Sequence, residues 1–189
     1  MAQRYKPIPI PEKVKVEKRE GELEVVGPLG TIKLPINPNV DVCLVDRTIV
    51  VTGKDETAKP FVGLMRGLIN NMLIGVTKGY EKTLELRGMG YRVQKIKGGI
   101  QLYCGFSHPV NFFAPEGIDL DVKQVPNPDD PKTQITEITV KGINKQLVGQ
   151  VAASIREIKP PDAYLGKGIR YKGEYVRKKP GKRAIAEKH

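Results

Sequence analysis

The feature that most constrains this chain is that it repeats itself. Val40-Asp-Val-Cys-Leu-Val45 alternates as a strand does, Asp46-Arg47 makes a turn, and Thr48-Ile-Val-Val-Thr-Gly53 alternates again. Over residues 57 to 74 the period becomes that of a helix: Phe61, Met65, Leu68 and Met72 share one face, with Leu64 and Ile69 beside it. The same order then returns. Ile118-Asp-Leu-Asp-Val122 matches Val40 to Leu44 at an offset of 78, and Ile138-Thr-Val-Lys-Gly142 matches Ile49 to Gly53 at an offset of 89. The 11 additional residues fall in one loop around Pro126-Asn-Pro-Asp-Asp-Pro131. A second helix is expected from Asn144 to Ile158, with Asn144 as its N-cap and Leu147, Val151, Ile155 and Ile158 as its buried stripe. Lys167-Gly168 matches Lys78-Gly79, again at 89.

This order predicts an α+β architecture of two duplicated modules, each an antiparallel β-sheet packed with one main α-helix. The earlier strands agree more loosely: Leu23 to Gly27 resembles Leu84 to Gly88, and Lys97-Gly98-Gly99 signals a hairpin. The expected organisation is an extended arm over residues 1–14, a first module over 15–81, a second over 82–174 and a basic tail over 175–189. With no Trp and four Phe, the cores must be built mostly from Val, Ile and Leu.

The charge is uneven. Of a net +11, the stretch from Ala163 onward supplies seven, from nine Lys or Arg against two Glu. Such an excess favours a polyanionic partner. A membrane surface fits poorly, because no apolar face accompanies the bases. No run reaches the roughly 18 apolar residues of a spanning helix, and the start lacks the apolar core of a signal peptide, so a cytoplasmic protein is expected. Cys43 and Cys104 are two reduced thiols on this reading, too few for a disulfide framework.

Enzyme motifs are weak. No phosphate-binding G-x-x-x-x-G-K-[ST] loop occurs, and Gly88-Met-Gly90 lacks the third glycine of a dinucleotide fingerprint. Cys104 and His108, four apart, are compatible with a nucleophile and base or with half a metal site. The only other histidine is His189, the last residue, so the ligand count is short and Ser107-His108-Pro109 reads as a turn whose ring bonds backbone or RNA. No catalytic residue, metal, cofactor or small-molecule substrate is expected.

The stretch Ala163-Tyr-Leu-Gly-Lys-Gly-Ile-Arg-Tyr171 and its continuation to Arg183 has the composition of an RNA-binding segment. Its glycines let backbone N–H groups approach an anion. Arg170 can clamp a phosphate through two parallel bonds, and the lysines act as point charges. Tyr164, Tyr171 and Tyr175 offer rings for stacking. Three readings stand beside one another: an rRNA-binding structural protein, a general nucleic-acid module, and an enzyme centred on Cys104 and His108.

Several motifs carry a resemblance. Lys159-Pro-Pro-Asp-Ala-Tyr-Leu-Gly-Lys-Gly-Ile-Arg-Tyr171, Gly105-Phe-Ser-His-Pro-Val110, Leu84-Glu-Leu-Arg-Gly-Met-Gly-Tyr-Arg92, Asn71-Met-Leu-Ile-Gly-Val-Thr-Lys-Gly79 and Gly149-Gln-Val-Ala-Ala153 resemble, in order, the bacterial-type family of the sixth protein of the large ribosomal subunit. The likeness runs from about Tyr5 to Arg183. It implies two duplicated α+β modules and a non-enzymatic protein that binds large-subunit rRNA. It also implies a position at the base of the acidic-protein stalk, beside neighbouring ribosomal proteins, the subunit interface and docking translation factors. By motif match the rRNA contacts fall on Tyr164, Lys167, Gly168, Arg170, Tyr171, Lys172, Arg177, Lys178, Lys179, Lys182 and Arg183, with His108 as a further candidate. This chain departs from the family in having Leu165 where a Lys is usual, Ala163-Tyr164 for Pro-Tyr, and Pro28-Leu29-Gly30 for Pro-Lys-Gly.

Overall fold

The computed structural model describes residues 6–127 and 134–182. It divides into two units: the first ends at Tyr80 and takes in Ile143–Lys145, and the second takes Glu81–Gly142 and continues from Gln146.

In the first unit, strands β1 (Ile8–Pro9), β2 (Lys15–Arg19), β3 (Glu22–Gly27), β4 (Gly30–Pro35), β5 (Val40–Val45) and β6 (Thr48–Gly53) are followed by helix α1 (Lys59–Thr77). They form two antiparallel sheets, ordered β1-β6-β5 and β2-β3-β4. The turn between β5 and β6 is Asp46-Arg47, with Asp46 at φ 51°, a conformation that Asp tolerates better than most side chains. The segment expected as an arm is docked where it is described. Ile8 pairs with Ile49, and both Ile8 and Val14 lie in the core with Leu23, Val25, Val42 and Ile69.

Helix α1 starts with Pro60 in its first turn, where a missing N–H costs nothing. Its buried stripe is Val62, Met65, Ile69, Met72, Leu73 and Val76, while Phe61 and Leu64 are exposed. The stripe therefore lies further round the helix than the sequence pattern suggested. The helix is apolar over a wide arc, and the sheet covers only part of it.

In the second unit, β7 (Tyr80–Arg87), β8 (Arg92–Ile96), β9 (Gly99–Tyr103), β10 (Val110–Phe113), β11 (Ile118–Pro126) and β12 (Gln134–Gly142) precede α2 (Lys145–Ile158) and β13 (Gly168–Tyr171). The sheets are ordered β10-β9-β8 and β11-β12-β7-β13. The β8–β9 hairpin turns at Lys97-Gly98, where Gly98 has φ 80°. Leu84, Leu86, Ile100, Leu102, Ile138, Ile155 and Ile169 are buried, each 2% exposed or less. Burying each such side chain stabilises the unit by about 1.5–3 kcal/mol. Helix α2 buries Val148, Val151, Ala152 and Ile155, while Leu147 and Ile158 are only half-buried.

The repeat holds in atomic register. Val40 pairs with Gly53, Val42 with Val51 and Leu44 with Ile49; at offsets 78 and 89, Ile118 pairs with Gly142, Leu120 with Val140 and Val122 with Ile138. The additional residues do not all lie in a loop. Gln124, Val125 and Pro126 pair with Thr136, Ile135 and Gln134, so the insertion lengthens both strands. The rest of the Pro-rich stretch falls mainly outside the described residues. One looser match is corrected: β3 is the middle strand of a three-stranded sheet, as is β9, whereas β7 lies beside β12 as β1 lies beside β6. Leu23 and Leu84 are therefore not equivalent. Both strands reach a glycine, and alternation alone does not distinguish one strand of a duplicated fold from another.

The two helices end differently. Helix α1 runs to Thr77, whereas α2 stops at Ile158, because Pro160-Pro161 cannot continue it. A loop therefore connects α2 to β13. At its end Gly168 has φ 139°, and a Cβ there would lie 2.5 Å from the Pro160 carbonyl oxygen. Gly168→Ala is expected to destabilise the protein by about 2 kcal/mol or more. In contrast, a Cβ on Gly63, inside α1, meets nothing within 4 Å, and Gly63→Ala is expected to stabilise by about 0.5–1 kcal/mol. Urea unfolding of the two variants checks both signs.

Candidate nucleic-acid interface

The basic segment is anchored by strand β13, which pairs antiparallel with β7: Gly168 with Arg87, Ile169 with Leu86, Arg170 with Glu85 and Tyr171 with Leu84. Strand alternation sends Ile169 into the core, where it is fully buried. Arg170 lies on the other face, opposite Glu85. Glu85 is itself buried, with the Arg170 Nε at 3.6 Å and the Arg87 Nε and Nη2 at 2.9 and 2.8 Å from its Oε2. One carboxylate thus holds two guanidinium groups. Attraction of this kind is strong because solvent is largely excluded.

The loop before β13 is closed by Asp162. Its Oδ2 accepts from the N–H groups of Tyr164 and Leu165, at 3.1 and 2.8 Å, and its own N–H donates to the Lys167 carbonyl at 2.8 Å. Beyond β13 the chain turns back. Glu174 accepts from the Tyr171 N–H at 2.9 Å and pairs with both Nε and Nη2 of Arg156. The Arg156 hydrogen bond holds the Glu174 carboxyl below the usual glutamate range. The Lys179 N–H then donates to the Ala163 carbonyl at 2.7 Å, laying the basic tail across the Asp162 loop. Lys178 follows it: a Cβ on Gly166 would lie 3.1 Å from the Lys178 Cε.

These contacts sort the expected site residues. Tyr164, Lys172, Arg177, Lys178, Lys179 and Lys182 are exposed, and Lys167 and Tyr171 are half-buried. The Lys172 Nζ is 2.7 Å from Glu137, which raises the Lys172 pKa. The Tyr171 ring has Lys82 at 5.1 Å and Arg156 at 5.8 Å from its centre. Those two cations were missed in the sequence, since they come from β7 and α2 and share no local spacing with Tyr171.

Two expectations are corrected. Arg170 does not present a free fork to solvent: its side chain is 12% exposed and bound to Glu85. Gly168 is buried, and its missing side chain makes room for the Lys159 and Pro160 carbonyls rather than for an anion. Arg183 lies outside the described residues.

His108 is exposed on the loop after β9, whereas Cys104 is buried. Burial pushes the Cys104 thiol up to about 11, which keeps it protonated and unreactive at neutral pH. Among the described residues no group of three or more His, Cys, Asp or Glu is placed to hold a metal ion.

The fold and this surface together define a class: a duplicated α+β protein whose second unit carries a basic strap beyond an edge strand. The chain belongs to the ribosomal protein L6 family, whose model matches residues 10–79 and 87–172, a structural and non-enzymatic family. It is 45% identical over 180 residues to the large ribosomal subunit protein uL6 of Dictyoglomus turgidum, covering 94% of each chain. It is 46% identical over 180 residues to that of Hahella chejuensis, covering 94% of this chain and 96% of the relative. It is also 43% identical over 180 residues to the protein uL6c of Guillardia theta, covering 93% and 94%.

Removing the Glu85 carboxylate takes a shared ion-pair partner from two largely buried guanidinium groups, those of Arg87 and Arg170. Glu85→Ala is expected to cost about 3 kcal/mol of stability, read by denaturant unfolding. The lowered pKa of Glu174 sets a pH dependence. A depressed carboxyl contributes stability above its unfolded pKa and loses it as pH falls through the folded one. Wild type is expected to lose more thermal stability than Glu174→Gln on acidification from about pH 6 to about pH 3.

Proposed function

We propose that this protein is a structural component of the large subunit of the cytoplasmic ribosome and binds its 23S-type rRNA through the second unit. The observation that carries this reading is the strap. Arg177, Lys178, Lys179 and Lys182 are exposed and follow a strand held in place by its pairing with β7. A fixed row of cations neutralises phosphates that a shaped RNA brings together, while Tyr164 and the flanked ring of Tyr171 meet sugars or bases. Lys167, Lys172 and His108 add charge or hydrogen bonds at its margins. Gly168 and Arg170 serve from within, by holding β13. The names of the relatives support assembly into the large subunit. The resemblance supports a position at the base of the acidic-protein stalk, near the subunit interface, neighbouring ribosomal proteins and the docking site of translation factors.

The test uses substitution rather than truncation, because removing β13 would uncover the sheet that buries Ile169. With Arg177, Lys178, Lys179 and Lys182 all changed to Gln, affinity for a large-subunit rRNA transcript should fall. The slope of log affinity against log salt should flatten by about three, since each phosphate contact contributes roughly 0.7–0.9. An unchanged slope in a folded variant would remove the strap from the interface. Equal affinity of wild type for an unrelated duplex would favour the alternative of a general nucleic-acid module.

A further inference from the structure

Phe106, Met89 and Lys159 lie outside the strap, on loops that come together at one end of the second unit. Three loops converge there: residues 88–91 after β7, 104–109 after β9, and 159–167 between α2 and β13. The Tyr91 ring joins the first two. A Cβ on Gly88 would lie 2.6 Å from it, and one on Gly105 would lie 3.3 Å away. Lys159 joins the second and third. Its carbonyl accepts from the Ile169 N–H at 2.7 Å, and its Nζ stands 4.9 Å from the centre of the Phe106 ring.

At this end apolar side chains point into solvent. Met89 is 91% exposed, Leu165 66% and Phe106 44%, and Tyr164 is exposed beside Leu165. Rings and a flexible thioether gathered among cations suit a ligand that has flat faces and negative charge together. The patch is also continuous with the strap, through the Lys179 to Ala163 hydrogen bond and Lys178 against Gly166. Both features favour RNA over a purely apolar protein partner.

We infer that these three loops form a stacking site for unpaired RNA nucleobases. Phe106 and Tyr164 provide the flat surfaces, and Met89 and Leu165 the apolar flanks. Lys159 and Lys178 stand where the adjoining phosphates run. The inference rests on the rRNA reading above and adds to Tyr164 the ring of Phe106 and the apolar side chains of Met89 and Leu165. Stacking releases no counterions, so it contributes affinity that salt does not remove.

The experiment measures binding of the full chain to a large-subunit rRNA transcript across a salt series. Phe106→Ala is expected to weaken binding by about fivefold or more at every salt concentration, with the log–log slope unchanged. Phe106→Trp should retain binding, and Met89→Ala with Phe106→Ala should weaken it further. The exposure of both side chains keeps these variants folded, which a thermal melt verifies. Wild-type affinity in Phe106→Ala would overturn the stacking site and leave the strap intact, as would a loss of affinity accompanied by a flatter slope. Absence of rRNA binding by the wild-type chain would overturn the broader reading itself.

Discussion

The docking of strand β13 turns on one buried carboxylate. Glu85 sits on β7 directly opposite Arg170 on β13, and it binds Arg87 as well. An edge strand of four residues has few backbone bonds of its own. It is held by the burial of Ile169 on one face and by this ion network on the other. Breaking such a network leaves charge without solvent, so the arrangement tolerates little variation. The position of the strap follows, because Glu174 bonds the Tyr171 N–H at the end of β13 and Lys179 bonds the loop before it.

The duplication explains why one unit carries this surface. Both units use the same hairpin-and-helix unit in the same register. The first continues its helix to Thr77, and the second is interrupted by Pro160-Pro161. Two prolines thereby convert what would be helix into a loop and a fourth strand. That loop brings Asp162, Tyr164 and Lys167 to the end of the sheet, where the connections after β7 and β9 also emerge. The structural repeat thus has a second ending in this unit.

The electrostatics separate cations by what they face. Arg170, Arg87 and Arg156 are engaged by Glu85 and Glu174, within the protein's own structure. Arg177, Lys178, Lys179 and Lys182 extend beyond the last strand and remain open to a polyanion. Lys172 stands between the two groups, paired with Glu137 but more than half exposed. Net charge alone would count all of them as equal. Only the geometry distinguishes a guanidinium that fastens a strand from an ammonium that can meet phosphate.

By itself the sequence determined the repeat, the α+β class, the approximate span of both helices, the turns at Asp46-Arg47 and Lys97-Gly98, and the basic character of the C-terminal segment. These are legible because period, turn chemistry and charge are local properties of neighbouring residues. The tertiary structure decided the rest. It chose Val62, Leu73 and Val76 rather than Phe61 and Leu64 for the core face of α1, because the sheet covers one arc of a broadly apolar helix. It turned Arg170 inward and gave Gly168 a packing role, because the partner of Arg170 is Glu85, far back in the chain, and the neighbours of Gly168 are the carbonyls of an interrupted helix. Which way a side chain faces on a strand depends on the strand beside it, and that information is not carried within the strand.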